Sequence, residues 1–256
     1  MGDFERNFDL TAVDYDRIRP MYADEIYRDI FAYKDIGRDS QVLEIGMGTG
    51  KATVPFLDRQ CRLTGIEPGE NLAALARERL KDYSNLTIVN QTLQDYQCED
   101  GTFDLIYAAT AFHWIPEEYG YRRVFSLLKK GGAFARFAYH AGPDRGRREL
   151  AEEIQGIYAL YMQPKKEYKV FGEAEAEKTA QTALAYGFTD IRHSLYYKTK
   201  DFTSDEYMAL LTTYPDHMKL EEEPRRKLFE GIHRAIDRSG GTITIYYSMD
   251  LELARK

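Results

Sequence analysis

The run Val42-Leu43-Glu44-Ile45-Gly46-Met47-Gly48-Thr49-Gly50-Lys51 sets an apolar strand directly before three glycines at alternate positions. Glycines spaced in this way let the chain turn tightly and present backbone N–H groups to a ligand with no side chain intervening. The expected occupant is a nucleotide-type cofactor. Glu67 closes the next apolar run, Leu63-Thr64-Gly65-Ile66-Glu67-Pro68. An ionised acid offers only acceptors, so a carboxylate there can take both hydroxyls of an adenosine ribose. The same placement suits NAD, so on its own it points to a ribose and leaves the cofactor open. The dinucleotide fingerprint G-x-G-x-x-G needs a small residue at position 51, where this chain has lysine, and a nicotinamide or flavin enzyme fits less well.

A second set of chemical groups follows in Phe103-Asp104-Leu105-Ile106-Tyr107-Ala108-Ala109-Thr110-Ala111-Phe112-His113-Trp114. His113 is placed just after an apolar strand, at the carboxyl edge where ligands of open α/β sheets bind. It could deprotonate a hydroxyl or amine, orient one, or be structural. Tyr139 and His140 end a further strand at the same edge. The five histidines, at 113, 140, 193, 217 and 233, show neither HxxxH nor HExxH spacing, so no metal is expected.

These groups need a scaffold, and the hydrophobic pattern supplies one. Short β-rich runs at Gln41–Ile45, Arg62–Ile66, Leu86–Val89, Phe103–Ala108 and Ala133–Tyr139 alternate with helical stretches near Tyr22–Tyr33, Lys51–Leu57, Glu70–Asp82 and Tyr119–Lys129. Such alternation requires a parallel sheet wrapped by crossover helices. From about Gly142 to Tyr186 the chain reads as helical and charged. Strand signals return at Phe188–Thr199 and Thr242–Leu253, separated by helices near Ser204–Leu211 and Pro224–Arg238. A start at Ser204 and a stop at Gly240-Gly241 are expected for that helical region. The expectation is one domain over 1–256, with a cap segment at 1–40, a cofactor-binding core at 41–140, and helical lid or substrate inserts at 142–186 and 203–240.

The acid-led alternate-glycine form, Glu44 followed by Gly46, Gly48 and Gly50, resembles the signature of class I S-adenosylmethionine-dependent methyltransferases. Three further segments match that family in order: Asn90-Gln91-Thr92-Leu93-Gln94-Asp95, the strand and loop from Phe103 to Trp114, and Leu127-Leu128-Lys129-Lys130-Gly131-Gly132-Ala133-Phe134. The resemblance implies a Rossmann-like seven-stranded sheet, mostly parallel with the last strand antiparallel, flanked by helices and carrying a helical lid after the fifth strand. It implies S-adenosyl-L-methionine as cofactor, held by Glu44, Gly46, Met47, Gly48, Gly50, Glu67, Pro68, Thr92, Leu93, Ala108, Phe112 and Trp114. Tyr15-Asp16-Arg17-Ile18-Arg19-Pro20-Met21-Tyr22 resembles the N-terminal segment that closes over the cofactor in the small-molecule, type-11-like branch, which includes enzymes similar to trans-aconitate methyltransferase. That adds Tyr15 and Arg19 to the cofactor set. In this branch Thr213-Tyr214-Pro215-Asp216-His217 descends toward the methyl group, so Tyr214 and His217 join His113 as catalytic candidates.

Methyl transfer from a sulfonium is an in-line displacement that mainly requires alignment and exclusion of water. Aromatic faces help a cationic sulfur by about 0.5–2 kcal/mol, and Tyr15, Phe112 and Trp114 are the candidates. A carboxylate acceptor needs an arginine clamp, from Arg19 or from Arg145, Arg147 or Arg148, and no base; a phenol or amine makes His113 or His217 important.

Composition narrows the partners. The formal net charge of -7 argues against a general phosphate-backbone binder, and Ala109-Thr110-Ala111-Phe112 stands where amino-methylating DNA enzymes carry an Asp/Asn-Pro-Pro-Tyr/Phe motif. The acceptor is therefore expected to be a small molecule, with no nucleic acid or membrane partner and a monomeric or homodimeric chain. MGDFERNFDL has no basic or apolar leader character, and Cys61 and Cys98 have no CxxC spacing, so a cytoplasmic protein with reduced thiols is expected. A non-catalytic S-adenosylmethionine-binding protein and a nicotinamide oxidoreductase are the competing readings.

Overall fold

The computed structural model describes residues 18–162 and 171–256; Tyr15 lies outside them. The described chain forms two compact units, one of residues 21–139, 171–196 and 249–256, the other of residues 18–20, 140–162 and 197–248.

The first unit opens with α1 (Asp24–Tyr33), then alternates β1 (Gln41–Ile45), α2 (Val54–Leu57), β2 (Arg62–Ile66), α3 (Glu70–Arg79), β3 (Leu86–Val89), β4 (Phe103–Ala109), a 3-10 turn (Phe112–Trp114) and α4 (Glu117–Leu127). β5 (Leu128–Gly142), β6 (Thr189–Thr203) and β7 (Thr242–Arg255) each run from one unit into the other. The seven strands form a single sheet in the order β3-β2-β1-β4-β5-β7-β6.

Pairs β3/β2, β2/β1, β1/β4 and β4/β5 are parallel. The beginning of β5 meets the end of β7 through Gly131 N–H to Lys256 O (2.9 Å) and Lys256 N–H to Gly132 O (3.0 Å), so these two run antiparallel. Thr189, at the start of β6, likewise donates to Arg255 O. The Rossmann-like sheet expected from sequence is therefore present, with the order reversing at β1/β4, where an open α/β sheet forms its binding crevice.

Burial explains why these segments are strands. β1 is buried on both faces from Val42 to Ile45 and β4 from Leu105 to Ala108, as a strand with helices on both sides must be, with Glu44 the one charged residue among them. Phe56 of α2 stacks on Tyr107 of β4 at 3.8 Å, and Tyr27 of α1 meets Phe56 edge-on. A buried side chain of this size contributes roughly 1.5–3 kcal/mol.

Several boundaries differ from expectation. β5 begins at Leu128, not Ala133: Leu128 already pairs with Phe103 of β4 ahead of a register shift, Gly131 N–H bonds Lys256 O, and Lys129 is tied to Asp104 at 2.8 Å. α2 is confined to Val54–Leu57, since Gly50 at φ 81 and a turn through Lys51–Thr53 precede it.

The second unit contains α5 (Arg148–Tyr161), α7 (Ser204–Thr212), α8 (Pro215–Met218) and α9 (Glu222–Arg238). α7 starts at Ser204 as expected and is capped by the residue before it: Thr203 Oγ1 accepts the Glu206 N–H and Glu206 Oε2 accepts the Thr203 N–H, a capping box. Gly240 and Gly241, at φ 100 and 78, follow α9, as a helix stop should. Gly231 brings α9 close to Ile157 of α5; a Cβ there would lie 3.1 Å from Ile157 Cγ2. The helical stretch expected over 142–186 is divided: α5 belongs to this unit, whereas α6 (Glu173–Gln181) and a 3-10 turn (Thr182–Tyr186) belong to the first, where Tyr186 stacks on Tyr121.

Candidate active site

The glycine loop sits at the carboxyl end of β1. Gly46, Gly48 and Gly50 have φ of 66, 57 and 81, a left-handed backbone that favours glycine. Gly46 and Met47 both donate to Ile66 O, which seats the loop against the end of β2. A Cβ on Gly46 would lie 2.6 Å from Ala111 Cβ and one on Gly50 2.6 Å from Leu80 Cδ1, whereas one on Gly48 would meet nothing within 4 Å. Gly46 and Gly50 are thus packing positions, and Gly48 turns its bare face to open space where a ligand backbone can approach. Met47 is buried, its sulfur filling the space beside Gly65.

Glu67 is positioned beneath this loop. Its Oε2 accepts the Gly48 N–H and its Oε1 the Gly69 N–H, both at 2.8 Å. A carboxylate oxygen can accept more than one hydrogen bond, which is the chemistry a ribose hydroxyl needs. Asn90 Nδ2 donates to the carbonyls of Glu67 and Pro68, fixing the β2 turn from the β3 side. Thr92 donates to Asp95 Oδ2 at 2.6 Å and accepts the Asp95 N–H, while Leu93 is buried in the core.

Glu44 occupies a different role from the loop glycines. It is fully buried, and its Oε2 accepts Thr53 Oγ1–H at 2.6 Å and the Tyr107 hydroxyl at 2.8 Å. Burial pushes its carboxyl up to about 7, against the opposing hydrogen bonds of Thr53 and Tyr107. It braces the loop from below.

After β4, Ala108 is buried and Phe112 packs in the core on Tyr121 and Phe134. His113 and Trp114 are exposed and adjacent, their rings 4.7 Å apart. Thr110 carries a left-handed φ of 54, uncommon for a β-branched residue, and its hydroxyl is hydrogen-bonded to the Tyr22 hydroxyl at 2.8 Å. Strained backbone of this kind gathers at ligand sites. The sequence does not single out this pair, because no sequence signal announces a left-handed threonine.

Arg19, Tyr214 and His217 lie together in the second unit. Arg19 donates from Nε to Thr213 Oγ1 and from its terminal nitrogen to Thr213 O, and its guanidinium stacks on Tyr214 at 4.2 Å. His217 shares a 3.0 Å hydrogen bond with the Tyr158 hydroxyl. Of the basic run, Arg147 binds Asp144 and Ser239 O, Arg148 pairs with Glu152 on the surface, and Arg145 stacks on Tyr246. These partners give each of the three a local structural task.

Among the described residues no group of three or more His, Cys, Asp or Glu is arranged to hold a metal ion, and no helix is long and apolar enough to cross a membrane.

A left-handed glycine loop at the sheet's switch point, with an acid at the end of β2, defines a Rossmann-like nucleotide-cofactor protein. Residues 42–132 match the family model described as a methyltransferase domain. An uncharacterized methyltransferase of Geobacillus sp. (strain WCH70) is 35% identical over 174 residues, 59% of this chain and 80% of that one. The chain belongs to the methyltransferase family, whose class I, S-adenosylmethionine-dependent members share this signature. In fold it is similar to a chain from Anaeromyxobacter dehalogenans assigned as a type II methyltransferase (TM-score 0.63, 16% identity, 93% and 97% of the two chains). It is also similar to the Haemonchus contortus phosphoethanolamine N-methyltransferase 2 in complex with phosphomonomethylethanolamine and S-adenosylhomocysteine (TM-score 0.57, 16% identity), covering all of this chain and 60% of that one.

Proposed function

We propose that this chain transfers a methyl group from S-adenosylmethionine to a small-molecule acceptor. The observation that carries the reading is the open face of Gly48 beside the Glu67 carboxylate, which the Gly48 N–H holds in place: an oriented acid and free space meet where an adenosine ribose would be recognised. When bound, S-adenosylmethionine supplies an electrophilic methyl on a cationic sulfur.

The chain's own residues then bind, orient and exclude water. Glu67 and the Gly46–Gly50 loop hold the ribose end, with Pro68, Thr92 and Leu93 toward the base. His113 and Trp114, exposed at the carboxyl end of β4, are proposed to face the acceptor, Trp114 offering an aromatic surface to a cation and His113 an imidazole for an acceptor proton. Tyr214 and His217, with Arg19, are proposed to set acceptor choice. A small acceptor agrees with the net charge of -7, which disfavours a polyanionic partner. An amine is one candidate, on the likeness to a phosphoethanolamine enzyme; a carboxylate of the trans-aconitate type is another.

The test is incubation of the purified protein with S-adenosylmethionine labelled in its methyl group and pooled fractions of small amines, carboxylates and phenols. Label in a low-molecular-weight product supports the reading. Tight cofactor binding with no transfer to any fraction would leave a non-catalytic binding protein instead.

A further inference from the structure

Glu44 presents a feature that bracing the loop does not require. Its Oε1 is buried and has no hydrogen-bond partner among the described residues, and the hydroxyl of Tyr27 on α1 is likewise buried and unpartnered. The two act on each other electrostatically. A carboxylate with one bare oxygen, removed from water, strongly prefers its neutral form unless a cation compensates it. Among the described residues Glu44 makes no salt bridge.

The groups facing it are anionic or neutral from every side. α1 contributes Tyr27, with Asp24 acting on the same hydroxyl; β4 contributes Tyr107; the turn before α2 contributes Thr53; and the end of β2 contributes Glu67. Glu44 stands on β1 two residues before Gly46 and bonds Thr53 just beyond the loop, which with its coupling to Glu67 puts it within electrostatic reach of the cofactor end of the loop. A positive ligand entering there is the missing compensating charge.

We propose that Glu44 is a proton-linked charge selector, giving up its proton to solvent when the sulfonium cofactor binds and regaining one when the neutral thioether takes its place. The inference rests on the cofactor reading above. Its balance is simple: methyl transfer breaks the sulfur–methyl bond and forms the bond to the acceptor, the sulfur keeps the bonding electron pair, and the cofactor loses one unit of positive charge. Glu44 then takes up one proton from solvent. The site thereby favours the charged donor over the spent product, and increasingly so as pH rises through the neutral range.

The test is calorimetric titration with S-adenosylmethionine and with S-adenosylhomocysteine at pH 5.5, 7.0 and 8.5, each in two buffers of contrasting ionisation enthalpy. The two ligands share the same amino-acid end, so the difference between them isolates the sulfonium. If the sulfonium lowers the Glu44 pKa by about one unit, the affinity ratio should rise by up to about tenfold across this range. Near pH 7 the methionine form should release about 0.4 more of a proton than the homocysteine form. Glu44→Gln should make the ratio independent of pH, and Tyr107→Phe, which removes one donor to Oε2, should move the rise to higher pH. Equal proton counts and a constant ratio for the wild type would overturn the selector while leaving the cofactor reading intact. Failure of the wild type to bind either ligand would overturn both.

Discussion

Exchanging glycine for alanine at two neighbouring loop positions should separate fold from ligand. At Gly46 the new Cβ would stand 2.6 Å from Ala111 Cβ, where carbon atoms rest at about 3.5–4.0 Å, on a backbone at φ 66. A left-handed alanine costs roughly 1–2 kcal/mol and overpacking roughly 1–3 more. Gly46→Ala should therefore lose about 2–5 kcal/mol, a fall in Tm of about 4–20 °C for a chain of this size. At Gly48 there is no neighbour to meet, so only the backbone cost of roughly 1–2 kcal/mol applies, about 2–8 °C. Its Cβ projects into the space proposed for the cofactor, and S-adenosylhomocysteine affinity should drop at least about tenfold, equivalent to about 1.4 kcal/mol. Thermal melts without ligand and calorimetric titration at a temperature where both variants are folded read the two effects separately. A Gly48→Ala protein that binds as the wild type does would refute the placement of the ligand. A Gly46→Ala protein no less stable than Gly48→Ala would refute the packing argument.

Other outcomes follow from particular contacts. Arg19→Lys removes the fork to Thr213 and the face on Tyr214, which should cost about 1–3 kcal/mol in chemical denaturation although charge is kept. Glu252 is buried near Arg136 at 3.7 Å, too long for a hydrogen bond, so burial outweighs the attraction and raises its carboxyl to about 8. Because the folded value exceeds the unfolded one, this group's contribution is complete below about pH 4.5 and is lost as pH rises through 8; Glu252→Gln should flatten the decline in Tm over that window. If the acceptor is a carboxylate, His113→Ala should leave kcat within about threefold, whereas a phenol or amine acceptor should lose on the order of 10²-fold or more, measured as labelled product over time.

The sheet and the cofactor end of the site were readable because each depends on local pattern. Four strands of the parallel half are bounded to within a residue by runs such as Gln41–Ile45 and Arg62–Ile66, whose apolar residues are buried. The alternate glycines and Glu67 follow from backbone chemistry that few other residues can supply. What escaped the sequence depends on partners distant in the chain. β5 extends back to Leu128 through pairing with Phe103 on one side and Lys256 on the other. Thr110 is held left-handed next to Tyr22, 88 positions away. Glu44 reads as a motif residue, yet burial raises its carboxyl against the opposing hydrogen bonds of Thr53 and Tyr107. Arg147 reads as a free cation until Asp144 is seen to bind it.

The most direct test of the central claim is calorimetric titration of the wild type and Glu67→Ala with S-adenosylmethionine and S-adenosylhomocysteine, with a thermal melt confirming that the variant is folded. Micromolar binding by the wild type, abolished in a folded Glu67→Ala protein, is the predicted result. A folded variant that binds both ligands unchanged, or a wild type that binds neither, would contradict the assignment of the Gly46–Gly50 loop and Glu67 as the cofactor site.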